Sequence, residues 1–169
     1  MKLRSYTKGF TLVEMLVYIS IMTIIFTVIV TTILSFTTSY HRLAALRLLD
    51  HSATDALERM TRDIRNSTSI DAINSTFGSS NGVLSLIATQ NAVSTTTKFY
   101  LASSVLKVNV NSVLIGPLTT TNVVVTSLAF TSLLSTNTSA VKVDMTLAAT
   151  DGPLTVTKLY HTTIILKGS

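Results

Sequence analysis

The sequence predicts an α+β chain: one long N-terminal α-helix, transmembrane over its first half, packed on a C-terminal antiparallel β-sheet. Three observations carry this. Met15 to Tyr40 is a run of 26 residues without Asp, Glu, Lys, Arg, Gly or Pro, and about 20 apolar residues suffice to cross a bilayer as a helix. Leu43, Leu46, Leu49, Ala53, Leu57, Met60 and Ile64 then recur at steps of three and four, the period of a helix apolar on one side. After Asn66 that period disappears and short β-rich runs alternate with Ser/Thr/Asn-rich turns.

The first nine residues are basic and polar. Lys2, Arg4 and Lys8 precede the apolar run, and without them the formal charge falls from +5 to +2. A pI near 9.7 therefore reflects the N-terminus and gives no strong nucleic-acid signal. The same cluster predicts a cytoplasmic N-terminus and an extracytoplasmic C-terminal domain. A secretory signal would have a 7–15-residue apolar region and a small-residue cleavage site; the run here is longer and no such site follows it.

One acid, Glu14, stands at the leading edge of the run. A carboxylate in hydrocarbon costs roughly 2.5–3.5 kcal/mol on insertion scales, so such a charge usually has a partner and a task. Behind it, β-branched residues are forced into helix by the lipid, which leaves no other partner for the backbone. Thr23, Thr27, Thr31 and Thr32 can bond to their own helix or to neighbouring ones.

No helix breaker separates the run from the amphipathic stretch that follows, and none appears before Asn66-Ser67-Thr68-Ser69. A continuous helix from Phe10 to Arg65 would be about 84 Å long. Asp55–Arg59, Glu58–Arg62 and Arg59–Asp63 are expected as i,i+4 ion pairs on its polar side.

Strands are predicted at Val83–Ala88, Lys98–Leu101, Val105–Val110, Val123–Phe130, Val141–Leu147 and Leu154–Leu166. Turn signals lie at Asn81-Gly82, Asn109–Ser112, Gly116-Pro117 and Asp151-Gly152-Pro153. Val141–Leu147 and Thr155–Tyr160 alternate apolar with polar, as in a sheet covered on one side. The Leu43–Ile64 stripe is its natural cover.

The pattern Lys8-Gly9-Phe10-Thr11-Leu12-Val13-Glu14, followed by an apolar helix, resembles the leader and methylation site of the type IV pilin and type II secretion pseudopilin superfamily. The segment Leu57–Arg65 is more loosely similar to the corresponding helix end of J-type minor pseudopilins and minor pilins. The resemblance implies a pilin-like fold and a cut between Gly9 and Phe10 by a prepilin peptidase, which also methylates the new amine of Phe10. It implies that Glu14, fifth in the processed chain, attracts the N-terminal amine of a neighbouring subunit and sets filament register. An intramolecular Phe10–Glu14 contact, one helical turn apart, remains an alternative.

The organisation that follows is a leader over 1–9, a transmembrane and filament-core helix over 10–40, an amphipathic continuation over 41–65 and an extracytoplasmic β-rich domain over 66–169. Implied partners are the peptidase/methyltransferase, other pilins or pseudopilins through the N-terminal helix, an inner-membrane assembly platform and membrane lipid. Major pilins often carry a proline where Thr31 stands here, which favours a minor subunit. Retention of Glu14 argues for a place below the filament tip.

Catalysis and metal binding are not expected. His41, His51 and His161 lack zinc-site spacing, the glycines form no phosphate-binding pattern, and there are no cysteines. No cofactor is predicted, and the chain is read as a non-enzyme. The competing reading is a membrane-anchored extracytoplasmic module binding DNA or a surface ligand, although Lys98, Lys107, Lys142, Lys158 and Lys167 are spread thinly among the strands.

Overall fold

The computed structural model describes residues 9–135 and 138–166. Met1–Tyr40 and His41–Ser169 form two compact units. A single helix, α1 (Leu12–Asn66), contributes to both, and the remaining elements are eight strands.

In the first unit the whole apolar run is exposed. Most of its Ser and Thr hydroxyls are turned back onto the helix. Ser20 donates to the Leu16 carbonyl at 2.8 Å, Thr23 to Ile19 at 2.8 Å, Thr27 to Thr23 at 2.9 Å and Thr32 to Val28 at 2.7 Å. These bonds satisfy polar groups within the helix and leave an outer surface of Ile, Val, Leu, Met and Phe, as hydrocarbon requires.

In the second unit, β1 (Ser69–Ile70), β2 (Leu84–Gln90), β3 (Val93–Ala102), β4 (Val105–Val110) and β5 (Val113–Pro117) form one antiparallel meander. A second is built from β6 (Val123–Ser135), β7 (Thr138–Asp151) and β8 (Leu154–Ile165). The sequence predicts one sheet where the fold has two. Bonding of the first continues one residue past Pro117, where Leu118 N donates to the Leu106 carbonyl at 2.8 Å, and Thr119–Asn122 leads to the second. Gly116-Pro117 lies within β5 rather than in a turn, and β5 itself is a strand the sequence reading leaves out.

Three hairpins of the first sheet close through two-residue turns: Asn91-Ala92, Ser103-Ser104 and Asn111-Ser112. Both central residues of each have positive φ, from 49° to 68°. That backbone matches the right-handed twist of the flanking strands. Asn81-Gly82, a predicted turn, instead lies along β6: Gly82 N donates to the Leu128 carbonyl at 2.7 Å, Leu128 N to Ser80 at 2.8 Å and Gly78 N to Phe130 at 2.9 Å. These bonds cover the β6 edge of the second sheet around Leu128 and Phe130.

Residues from α1 and both sheets share one core. On α1 the buried residues are Ala45, Leu49, Ser52, Ala53, Ala56, Met60 and Ile64. Leu43, expected in the stripe, is 56% exposed, and Leu46 and Leu57 are only partly buried. Small side chains let helix and sheet backbones approach closely, so alanine and serine take places that hydrophobicity alone assigns to leucine. On the polar side Arg59 Nε meets Asp63 Oδ2 at 2.7 Å as expected. Asp55 pairs with His51 at 2.8 Å rather than with Arg59, and no Glu58–Arg62 pair forms among the described residues.

The alternation of β7 places Val141, Val143, Met145 and Leu147 in the core. On β6 the alternation changes phase. A bulge between Val125 and Ser127 lets Val123 and Val125 face inward ahead of it, and Leu128 and Phe130 after it.

Candidate functional site

The residues singled out in the sequence lie at the start of α1. Gly9 is exposed and non-helical, and a Cβ added there meets nothing within 4 Å. Neither packing nor the space around it calls for glycine at this position. Phe10 is also outside the helix and 71% exposed. Lys8 lies outside the described residues.

Thr11 starts the helix. Its Oγ1 accepts from Glu14 N at 3.3 Å, and its carbonyl accepts the first helical bond, from Met15 N at 3.2 Å. Thr11-Leu12-Val13-Glu14 is therefore an N-terminal capping arrangement, with a Thr at the cap and an acid three residues on. The carboxylate also lies at the positive end of the helix dipole. The sequence carries this capping signal in its Thr-x-x-Glu spacing, separate from the lipid cost and the resemblance that single out Glu14.

The Glu14 side chain points along the helix. Tyr18 Oη donates to its Oε1 across a long 3.4 Å. The Tyr18 ring meets the Phe10 ring edge to face, with centroids 6.0 Å apart and planes at 74°. Phe10, Glu14 and Tyr18 thus share one face of the first two turns. Phe10 precedes the first helical turn, and no polar contact joins it to Glu14 among the described residues. Oε2 of Glu14 has no partner within the chain among the described residues and remains able to accept from a donor outside it.

The second unit has polar links that sequence reading missed. Lys158 Nζ and Tyr160 Oη, both on β8, each donate to Asp50 Oδ1 on α1 at 2.6 Å. The ammonium lies 5.1 Å from the centroid of the Tyr160 ring. The bonds from Lys158 and then Tyr160 hold the Asp50 carboxyl below the usual carboxylate range. Burial, followed by the bond to Asp50, raises the Tyr160 phenol above its ordinary value. His41 Nδ1 lies 2.9 Å from Asp151 Oδ2, and a Cβ added at Gly152 would lie 3.4 Å from its ring. None of these clusters is a metal-ligand set: no group of three or more His, Cys, Asp or Glu could hold a metal ion among the described residues. Partners more than 100 residues apart leave no local pattern from which these links could be read.

A family model described as the prokaryotic N-terminal methylation motif matches residues 4–30. No curated protein and no solved structure matches the chain. The matched segment contains Gly9, Phe10, Glu14 and the first half of the exposed apolar run, and antiparallel sheets packed on the same helix follow it. The chain carries the prepilin-type methylation motif of the type IV pilin and pseudopilin superfamily, on an α+β fold of the kind that motif leads one to expect.

Proposed function

We propose that this chain is a minor pilin or pseudopilin, a structural subunit of a type IV pilus-like or type II secretion filament. It inserts through residues 10–40 with its N-terminus in the cytoplasm and its β-rich domain outside. A prepilin peptidase cuts after Gly9 and methylates Phe10. An inner-membrane assembly platform then passes the subunit into a filament of other pilins or pseudopilins, in which the N-terminal helices form the core. Within the superfamily the subunit is most like the J-type minor pseudopilins or minor pilins, with a place below the tip.

The observation that carries this reading is Glu14 itself. It is the one Asp, Glu, Lys or Arg between Leu12 and Tyr40, a stretch of α1 with no buried residue, and it lies inside the matched methylation motif. A carboxylate there is costly in lipid. Attraction to an amine about 4 Å away is several-fold stronger at an effective dielectric of 20 than in water. The free amine of a neighbour's processed Phe10 is a cation that can offset the cost, and pairing with it sets the axial register between subunits.

Co-expression of Glu14→Ala with its filament partners tests this. The variant should be processed and membrane-inserted like wild type, yet be depleted from sheared filaments by roughly tenfold, the factor that about 1.4 kcal/mol of lost pairing represents. Incorporation equal to wild type would remove the register role.

A further inference from the structure

The outward face of the first sheet carries a pocket of about 270 Å³ lined by Asn74, Ser85, Thr96, Lys98, Asn109 and Ser112. Every lining residue is polar and none is acidic. Ser85, Lys98 and Asn109 stand directly opposite one another across β2, β3 and β4, on the face away from the buried row Leu84, Phe99 and Val108. Thr96, two residues before Lys98, points the same way.

Both walls are pinned. On one side Asp71 accepts from Asn74 N at 3.3 Å and from Asn74 Nδ2 at 2.7 Å, and Ser75 Oγ accepts from Ser85 N at 2.9 Å. On the other, the Asn111-Ser112 turn is tied to β3: Asn111 Oδ1 accepts from Thr96 N at 2.9 Å, and Asn111 N donates to the Thr96 carbonyl at 2.8 Å. The site is built before any ligand arrives, which reduces the ordering cost of binding.

The hydrogen-bonding groups left over define what fits. Tyr100 Oη donates to Asn109 Oδ1 at 3.2 Å, so the amide Nδ2 of Asn109 is left as a donor. Asn74 spends its Nδ2 on Asp71 and keeps its Oδ1 as an acceptor. Thr96 and Ser112 offer hydroxyls that have no side-chain partner among the described residues. Lys98 is half-buried, and the lysines found in ion pairs among the described residues are Lys142 and Lys158. Lys98 itself forms no ion pair among the described residues, and residues 84–117 contain Lys98 and Lys107 and no Asp or Glu. Asp71, behind the Asn74 wall, accepts from Asn74 with both oxygens and is also bonded by Ser85; it keeps its charge but makes no ion pair with Lys98.

We propose that this pocket binds a small hydroxylated carboxylate, of the size and chemistry of one acidic sugar residue. Lys98 Nζ and Asn109 Nδ2 take the carboxylate, as a charged and a neutral donor. Asn74 Oδ1 and the hydroxyls of Thr96 and Ser112 take the ring hydroxyls. A neutral sugar would leave the ammonium uncompensated, and a bare phosphate would leave the acceptors on the opposite wall unused. The assignment is independent of whether the chain enters a filament.

Saturation-transfer NMR on the full chain in detergent tests it, with glucuronate, glucose and inorganic phosphate as probes. Glucuronate should receive saturation and glucose should not, and phosphate should compete only weakly. Lys98→Met should weaken glucuronate binding by about 10- to 100-fold, the value of one charge-assisted hydrogen bond, with Lys98→Arg retaining part of it. Tyr100→Phe, which frees the Asn109 amide to turn, should weaken it several-fold while the circular dichroism spectrum stays that of wild type. It keeps the test decisive should Lys98→Met fail to fold. Equal signals from glucose and glucuronate, tighter binding of phosphate than of glucuronate, or wild-type affinity in Tyr100→Phe and any folded Lys98→Met would overturn the proposal.

Discussion

Tyr160 Oη donates to Asp50 Oδ1 at 2.6 Å, joining β8 to the amphipathic half of α1. Lys158 Nζ reaches the same oxygen at the same distance, so a carboxylate on the helix is met by two donors spaced two residues apart on one face of a strand. This explains a lysine on the helix-facing side of β8.

Tyr160→Phe should therefore destabilise the second unit by about 1 kcal/mol, because the Asp50 side chain is half exposed and keeps water as an alternative partner. Thermal melts of the full chain in detergent should show a loss of roughly 2–4 °C near neutral pH. The Asp50 carboxyl titrates below its ordinary value in the folded chain. Its contribution is thus fully present above the unfolded-state value and is lost as pH falls through the folded one. The gap between wild type and Tyr160→Phe should stay constant from pH 5 to 8 and narrow in strong acid. A gap that widened on acidification would contradict this link.

Gly82 is required by close approach. A Cβ there would lie 2.8 Å from the Leu128 carbonyl oxygen and 2.9 Å from the Phe130 ring. Gly82→Ala should cost about 1–3 kcal/mol, as overpacked sites do, by pushing residues 78–82 off the edge of β6. Hydrogen exchange at the amides of Gly82 and Leu128, which make the bonds across that edge, should accelerate in the variant. Unchanged protection would show that the edge tolerates the methyl group.

Ala92 holds a φ of 65° at the second position of the β2–β3 turn. The left-handed conformation costs an L-residue about 1–2 kcal/mol, and glycine's greater freedom in the unfolded chain offsets about 0.4–1 of that. Ala92→Gly should then raise stability by about 0.5 kcal/mol, whereas Ala92→Val, β-branched at positive φ, should lower it by 1 kcal/mol or more. Denaturant midpoints that moved in the same direction for both variants would contradict the turn geometry.

The long helix was legible because its signals are local. A charge-free run followed by a three-and-four stripe without breakers places it from Phe10 to Arg65, against Leu12–Asn66 in the structure. The second half of the β-rich part was legible for the same reason, since Val141–Leu147 alternates cleanly. Less of the first sheet was legible. Two of its hairpins turn on Asn-Ala and Ser-Ser pairs without glycine, whereas the Asn111-Ser112 turn falls within the predicted signal Asn109–Ser112; Val113–Ile115 is too short to stand out from the Gly116-Pro117 signal beside it. Which residues of α1 are buried depends on how closely two backbones approach, so Ala45 and Ala56 could not be preferred over Leu43 on hydrophobicity. At the candidate site, Gly9, Phe10 and Glu14 stand out in the linear sequence, whereas the Asp50 link and the polar pocket depend on strand register.

The central claim is that the N-terminal motif operates as a processing and methylation site. Intact-mass measurement of the membrane-extracted protein, beside a variant with a bulky residue in place of Gly9, tests it most directly. The account predicts a wild-type chain that has lost residues 1–9 and gained one methyl group at Phe10, and a Gly9 variant that keeps its full length. A wild-type chain with residues 1–9 intact, or a Gly9 variant that matures normally, would contradict it.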